Sequence, residues 1–239
     1  MAVSQVDPIV VGVLALQGAF AEHIAMLTRL PTSSRIVALA VRTPTELSQC
    51  HALIIPGGES TTIALLARLS ELLEPLRDWV RHGRPTWGTC AGAILLAGAG
   101  VEGTKKGGQE VLGGLDVRIA RNGFGSQVES FEANLQVDGL RDAHRPFPGV
   151  FIRAPVVLSL HQDSSHPPIR VLARVDQGLV PAGAADLPEV VADGQPGDRA
   201  DRSVVALRQG NCMLTTFHPE LTRDSRFHEY FLREIVGAL

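Results

Sequence analysis

The sequence predicts an α/β fold, doubly wound, with a mostly parallel central sheet flanked by helices and some antiparallel strands in its C-terminal half. Three observations carry this prediction. Apolar, β-branched runs such as "IVVGVLAL" (9–16) and "HALIIP" (51–56) are continuous rather than alternating, the pattern of strands covered on both faces. Stretches of helical period separate them, so strand and helix alternate through the N-terminal half. Beyond the helix that follows Cys90, "GLDVRIA", "VESFEANLQV" and "GVFIRAPVVLSL" succeed one another with turn chemistry alone between them.

The first strand ends at Gln17-Gly18, and "AFAEHIAMLTRL" follows with apolar residues at Ile24, Leu27 and Leu30, stopping at Pro31. "RIVALAV" (35–41) is a second strand and "TPTELSQC" a short helical turn. The third strand ends in Gly57-Gly58, after which helical spacing covers 60–82 with a bend expected at Pro75. "PTWGTCAGAILLAG" (85–98) turns from strand to helix at Cys90. Residues 176–202, rich in Ala, Gly, Pro and Asp, are expected to form a surface insertion. "SVVALRQ" and "CMLTTF" make a hairpin around Gly210-Asn211, and an amphipathic helix carrying Phe227, Tyr230, Phe231, Leu232, Ile235 and Val236 closes the chain.

With 239 residues, 45% of them apolar and 20% charged, the chain is expected to form one globular domain. A net charge of −3 without a basic block gives no footprint for nucleic acid or an anionic membrane. "MAVSQVDP" lacks a basic leader and no apolar run approaches the roughly 20 residues that span a bilayer, so a cytoplasmic protein is expected. The three cysteines, Cys50, Cys90 and Cys212, are too few for a disulfide framework, and each needs its own explanation.

Gly88-Thr89-Cys90-Ala91-Gly92 has the form of a nucleophile elbow, G-x-S-x-G, with sulfur in place of oxygen. Small flanking residues suit a sharp strand-to-helix turn in which neighbouring backbone comes close. The thiol at the start of a helix then meets free N–H groups and the macrodipole, which can lower a cysteine pKa from its ordinary value of about 8.5. A buried structural cysteine remains equally open on this evidence, since small apolar thiols are common in cores. The partners in "TTFHPEL" decide between them. His218 and Glu220 are one residue apart, so in an extended segment both side chains point the same way, and Pro219 fixes the backbone between them. The end of a late strand is also where open α/β sheets bind ligands. Gly57-Gly58 can turn an N–H toward a developing oxyanion, Ser60 is a candidate helix cap, and Glu59 suits a cationic substrate group.

At these residues the chain resembles the glutaminase subunits of pyridoxal 5′-phosphate (PLP) synthase, class I, triad-type glutamine amidotransferases. "VGVLALQGAFAEH", "LIIPGGESTT", "WGTCAGAILLA", "RNGFGSQVESFE", "GVFIRAP" and "TFHPELTRDSRFHEYF" look like that family's segments, in order, over nearly the whole chain. The resemblance implies a class I glutamine amidotransferase-like fold in which Cys90 attacks the side-chain amide of L-glutamine, His218 passes protons and Glu220 orients it. Gly57, Gly58 and Ala91 would form the oxyanion hole, and Gly58, Glu59, Ser60, Arg121, Ile152 and Arg153 would bind substrate. It further implies a synthase subunit as partner in a hetero-oligomeric complex, receiving the ammonia for vitamin B6 synthesis. Gln17, Glu22 and His23 would face that partner. No cofactor, metal or PLP chemistry is expected in this chain itself.

Three features depart from the family pattern: the 176–202 insertion is longer than expected, the "LPTSSR" connection is less obviously patterned, and Ser126 stands where many relatives are expected to carry Arg. Gly98–Gly103 matches G-x-G-x-x-G but lacks the strand-turn-helix context of a dinucleotide site. His161 and His166 have no further ligands at metal spacing, and Cys50 and Cys212 are expected to be inert core thiols. Alternatives from other classes are a glutaminase subunit of another amidotransferase complex, a non-catalytic docking subunit of the same fold, and a stand-alone cysteine hydrolase or chaperone. The last would not need Glu59, Arg121 and Arg153 together.

Overall fold

The computed structural model describes residues 8–31, 36–104, 108–121, 130–161, 165–180 and 202–237. The N-terminal half alternates: β1 (Ile9–Leu14), α1 (Phe20–Arg29), β2 (Ile36–Val41), α2 (Pro44–Ser48), β3 (Ala52–Ile55), α3 (Ser60–Leu69), α4 (Leu73–Arg81), β4 (Thr86–Thr89) and α5 (Ala91–Leu96). The C-terminal half is strand-rich: β5 (Gly100–Glu102), β6 (Val117–Ala120), β7 (Ser130–Leu135), β8 (Phe147–Ile152), β9 (Val156–Leu160), β10 (Ile169–Arg174), β11 (Val204–Gln209) and β12 (Cys212–Thr215). It ends in α6 (Arg226–Tyr230), which runs on as a π-helical segment, Phe231–Val236.

Seven strands form the central sheet in the order β10-β11-β12-β4-β3-β1-β2. β2, β1, β3, β4 and β12 are parallel, while β11 runs antiparallel to both its neighbours, as expected for this fold class. Because side chains alternate along each strand, one run serves two cores. Ala52 and Ile54 face the layer built on α1, α6 and β8, whereas Leu53 and Ile55 face the layer built on α3, α4 and α5. β5-β6-β9 and β7-β8 form two smaller sheets.

Local chemistry corrects several sequence boundaries. The helical stretch 60–82 is two helices, and the break falls at Glu71, not at Pro75. Glu71 takes φ 58°, its N–H reaches Arg68 O, and the Leu72 N–H reaches Ala67 O, which is a Schellman ending built without glycine. Pro75 lies in the first turn of α4, where the missing N–H would have had no intrahelical acceptor. The cap of α3 is Glu59, whose carboxylate accepts the Thr62 N–H; Ser60 is the first helical residue and instead donates to Gln109 Oε1 at 3.1 Å. "GVFIRAPVVLSL" is two strands in two sheets, divided where Arg153 adopts φ 46°. Of the expected insertion 176–202, residues 176–179 are exposed and Arg202 is buried; 181–201 lie outside the described residues. Ser126 also lies outside them. α6 is anchored by Arg226, 1% exposed, whose guanidinium donates to Asp224 and to the carbonyls of Arg141, Asp142, Arg145 and Pro146.

Candidate active site

Cys90 stands between β4 and α5 with φ 47° and ψ −104°, a left-handed backbone that a non-glycine residue adopts at a cost. Both flanking glycines are required by close approach. A Cβ on Gly92 would lie 2.0 Å from Ile55 O, and one on Gly88 would lie 2.5 Å from Gly92 O. The Cys90 N–H donates to Thr215 O at 2.9 Å, which ties the elbow to the end of β12. Three residues past that point the chain presents His218.

His218 is held from the other side by β8, its N–H donating to Val150 O at 2.8 Å. Residues 219–221 form a 3-10 turn rather than the extended segment expected, yet His218 Nδ1 and Glu220 Oε1 still meet at 2.7 Å. That leaves Nε2 for Cys90. Burial pulls the His218 pKa down, but the side-chain hydrogen bonds to Cys90 and Glu220 and the charges on both raise it to about 10, so the ring carries two protons at neutral pH. Cys90, His218 and Glu220 are 7%, 8% and 5% exposed. Sulfur, imidazole and carboxylate thus converge at one rim of the central sheet.

Gly57 lies directly against them: a Cβ there would sit 2.4 Å from His218 Cε1 and 3.2 Å from Cys90 Cβ. Its carbonyl accepts the Ala19 N–H at 3.0 Å, and a Cβ on Gly18, at φ 96°, would overlap that carbonyl oxygen. The Gln17 side chain closes the same loop, its Oε1 accepting the Glu59 N–H at 2.8 Å. The Ala91 amide opens α5, where helical N–H groups have no intrahelical acceptor.

A cavity of about 320 Å³ opens in front of the sulfur. Its lining includes Gly58, Glu59, Ser60, Arg121, Ile152 and Arg153 together with Cys90, Ala91 and His218. Gln17 and Ile94 line it as well. The size is at the lower end of small-molecule sites, roughly 300–1,000 Å³, and suits an amino acid. Burial raises the Glu59 pKa, but hydrogen bonds from the Thr61 hydroxyl and from the Thr62 amide and hydroxyl together outweigh it and hold the carboxyl at about 2. Its other oxygen accepts Arg121 Nη2 at 2.5 Å, so the two candidate charge-binding groups are paired with each other. Arg153 makes no ion pair among the described residues.

Behind Glu220 lies a polar cluster that sequence reasoning did not identify. His23, expected at a partner interface, is 0% exposed and unavailable to a docking surface. Gln17 is half-buried and turned into the loop, whereas Glu22 is exposed. His23 Nδ1 lies 2.9 Å from His228 Nε2, and His228 is also 0% exposed. The signal available in the sequence was position: His23 falls with Phe20, Ile24, Leu27 and Leu30 on the buried stripe of α1.

Burial pushes the His228 pKa down to about 3, and burial with the neighbouring His228 and His218 rings pushes His23 well below its ordinary value. Both stay neutral in the fold but take a proton when unfolded. Their contribution is complete above pH about 6.5 and declines as pH falls through that value toward 3. Thermal unfolding is therefore expected at lower temperature at pH 5 than at pH 7, with part of that difference lost in His228→Gln. An equal pH dependence in both proteins would contradict this.

A larger cavity, about 660 Å³, lies at the opposite end of β4 and β12, around Arg77, Asp116, His166 and the Gly210-Asn211 turn. Among the described residues that line it, no nucleophile is paired with a base, and burial raises the pKa of the Cys212 thiol to about 12. Among the described residues no three His, Cys, Asp or Glu side chains cluster as metal ligands, and no helix is long and apolar enough to cross a membrane.

The profile of the SNO glutamine amidotransferase family matches residues 13–237. The pyridoxal 5'-phosphate synthase subunit PdxT of a Nocardioides species is 46% identical over 222 residues, covering 93% of this chain and 94% of that protein. The subunit of the same name from Streptomyces coelicolor is 44% identical, covering 94% of this chain and 93% of its own length. A crystal structure of a glutamine amidotransferase superposes with a TM-score of 0.71 at 42% identity, over 95% of this chain and 98% of that one. A glutamine amidotransferase from Thermotoga maritima, 10% identical, shares the fold with a TM-score of 0.54 over 98% of this chain and 86% of its own.

Proposed function

The chain belongs to the SNO glutamine amidotransferase family, and from that premise we propose that it hydrolyses L-glutamine to L-glutamate and ammonia and hands the ammonia to a PLP synthase subunit. The observation that carries this reading is the convergence of Cys90 with the hydrogen-bonded pair His218 and Glu220 at the mouth of a cavity lined by one acid and two arginines.

The Cys90 sulfur attacks the side-chain amide carbon, and the oxyanion that forms is met by backbone N–H groups of the Gly57-Gly58 loop and of Ala91. His218 gives its Nε2 proton to the departing nitrogen, so ammonia leaves and a glutamyl thioester remains on Cys90. Water then attacks the thioester, His218 takes the water proton, and glutamate leaves with the sulfur restored. Glu220 keeps the ring in register throughout. Glu59 receives the substrate ammonium, and Arg121 and Arg153 its α-carboxylate. Substrate binding exchanges the Glu59–Arg121 pair for contacts to both ends of one zwitterion.

Ammonia released into water protonates and ceases to be a nucleophile, which explains why the relatives named as PLP synthase subunits would work docked on a synthase. The exposed Glu22 end of α1 is the part of the expected interface left at the surface. Three buried free thiols fit a reducing cytoplasm, and residues 1–239 are taken as one domain.

Glutamate production by this chain with and without a PLP synthase subunit tests the proposal. Stimulated, glutamine-specific turnover is expected; absence of turnover in the mixture, or hydrolysis indifferent to the partner, would refute it. Arg153→Ala is expected to raise KM about tenfold or more with kcat little changed, because a carboxylate clamp holds ground and transition states alike. An unchanged KM would remove Arg153 from substrate binding.

A further inference from the structure

His23 and His228 take no part in the steps above, yet they are packed against the one member of the triad that never meets substrate. His23 Nε2 lies 3.3 Å from Glu220 Oε2 and 3.2 Å from Thr89 Oγ1, and its Nδ1 lies 2.9 Å from His228 Nε2. Glu220 Oε1 is hydrogen-bonded to His218, while the buried Oε2 makes no formal hydrogen bond among the described residues and has His23 Nε2 facing it at ion-pair distance. Trp87 packs in T-shaped contact with both imidazoles, with ring centroids 5.6 and 4.9 Å away.

Only one proton arrangement suits these contacts. If Nδ1 of His23 carried the hydrogen, its Nε2 lone pair would face a carboxylate oxygen, two acceptors in contact in a dry interior. His228 would then accept at Nε2 and carry its own hydrogen on Nδ1, a buried position without a partner. With the hydrogen of His23 on Nε2, both conflicts disappear. His228 donates from Nε2 to His23 Nδ1, its Nδ1 is a bare lone pair, and His23 presents N–H to Glu220 Oε2 and Thr89 Oγ1. Burial keeps both rings neutral, which preserves this arrangement across the working pH range.

We propose that His23, locked in its Nε2–H form by His228, is a positioning residue for glutamine hydrolysis: it fixes the Glu220 carboxylate from behind and thereby sets the ring of His218 against Cys90. The proposal rests on the reading of Cys90, His218 and Glu220 as the triad. It also gives α1 a task that its sequence does not announce, since the helix whose outer face carries Glu22 supports the triad with its inner face.

Two variants of His23 separate positioning from mere packing. Gln places its amide nitrogen where Nε2 stands and can still donate to Glu220; Asn ends one bond short, at the level of Nδ1, and cannot. In the complex with a PLP synthase subunit, His23→Asn is expected to lower kcat about tenfold with KM within about twofold of wild type, and His23→Gln to recover most of the loss. The ring pKa of His218, followed by NMR on the labelled chain, is expected to fall in His23→Asn and to return in His23→Gln. Equal kcat in the two variants, or a His218 titration unmoved in both, would overturn the proposal. If the wild-type complex hydrolyses no glutamine, the reading of function fails instead, and the His218 titration by itself still decides the role of His23.

Discussion

Replacement of Cys90 by alanine is expected to reduce glutamine hydrolysis by on the order of a thousandfold or more while the protein remains folded, because it removes the only atom able to form the thioester. The separation of activity from stability follows from the elbow. Its sharp turn is enforced by Gly88 and Gly92, whose Cα atoms lie where neighbouring backbone leaves no space for a Cβ, and by the bond from the Cys90 N–H to Thr215 O. Alanine inherits the same φ of 47° and the same strain, so folding is little affected. Glutamate release in the presence of a synthase subunit, alongside thermal unfolding, checks both halves. Turnover within about tenfold of wild type would take Cys90 out of the mechanism.

Gly57→Ala is expected to be nearly as damaging, with kcat down at least about a hundredfold, although residue 57 contributes no side chain to the chemistry. The added Cβ would stand 2.4 Å from His218 Cε1 and 2.9 Å from its Nδ1. His218 cannot shift freely, since the same Nδ1 is bonded to Glu220 at 2.7 Å and its backbone N–H to Val150. Either the ring leaves its line with Cys90 or the Gly57-Gly58 loop moves away from the oxyanion, and each outcome disables the first step. Near-normal kcat in a folded Gly57→Ala would show that neither the loop nor the ring position matters.

Much of this site is local in sequence and therefore legible there. The elbow is five consecutive residues, His218 and Glu220 are separated by one proline, and Gly57-Gly58 directly ends a strand. Continuous apolar runs announced the doubly covered sheet because Ala52 to Ile55 serve both cores in alternation. What escaped depends on conformation or on distance along the chain. A Schellman ending at Glu71 has no glycine to mark it, and Pro75 was the more conspicuous but harmless residue. The break at Arg153 divides one apolar run between two sheets through a single left-handed residue. Glu59 rather than Ser60 caps α3 because its longer carboxylate reaches the Thr62 amide while still meeting Arg121. His23 was placed on a surface because its partner His228 is 205 residues away, and nothing nearby in the chain records their contact.

Of the three thiols, Cys90 is the proposed nucleophile aimed at glutamine. Burial raises Cys50 to about 11 and Cys212 to about 12, which leaves both poorly reactive at neutral pH, whereas Cys90 shares the lining of a cavity with His218. Treatment of the protein with a chloroketone analogue of glutamine, followed by peptide mass spectrometry, is therefore expected to place a single label on Cys90 and none on Cys50 or Cys212, with L-glutamine protecting. Labelling of all three thiols at similar rates, or a Cys90 left unmodified at saturating reagent, would contradict the account.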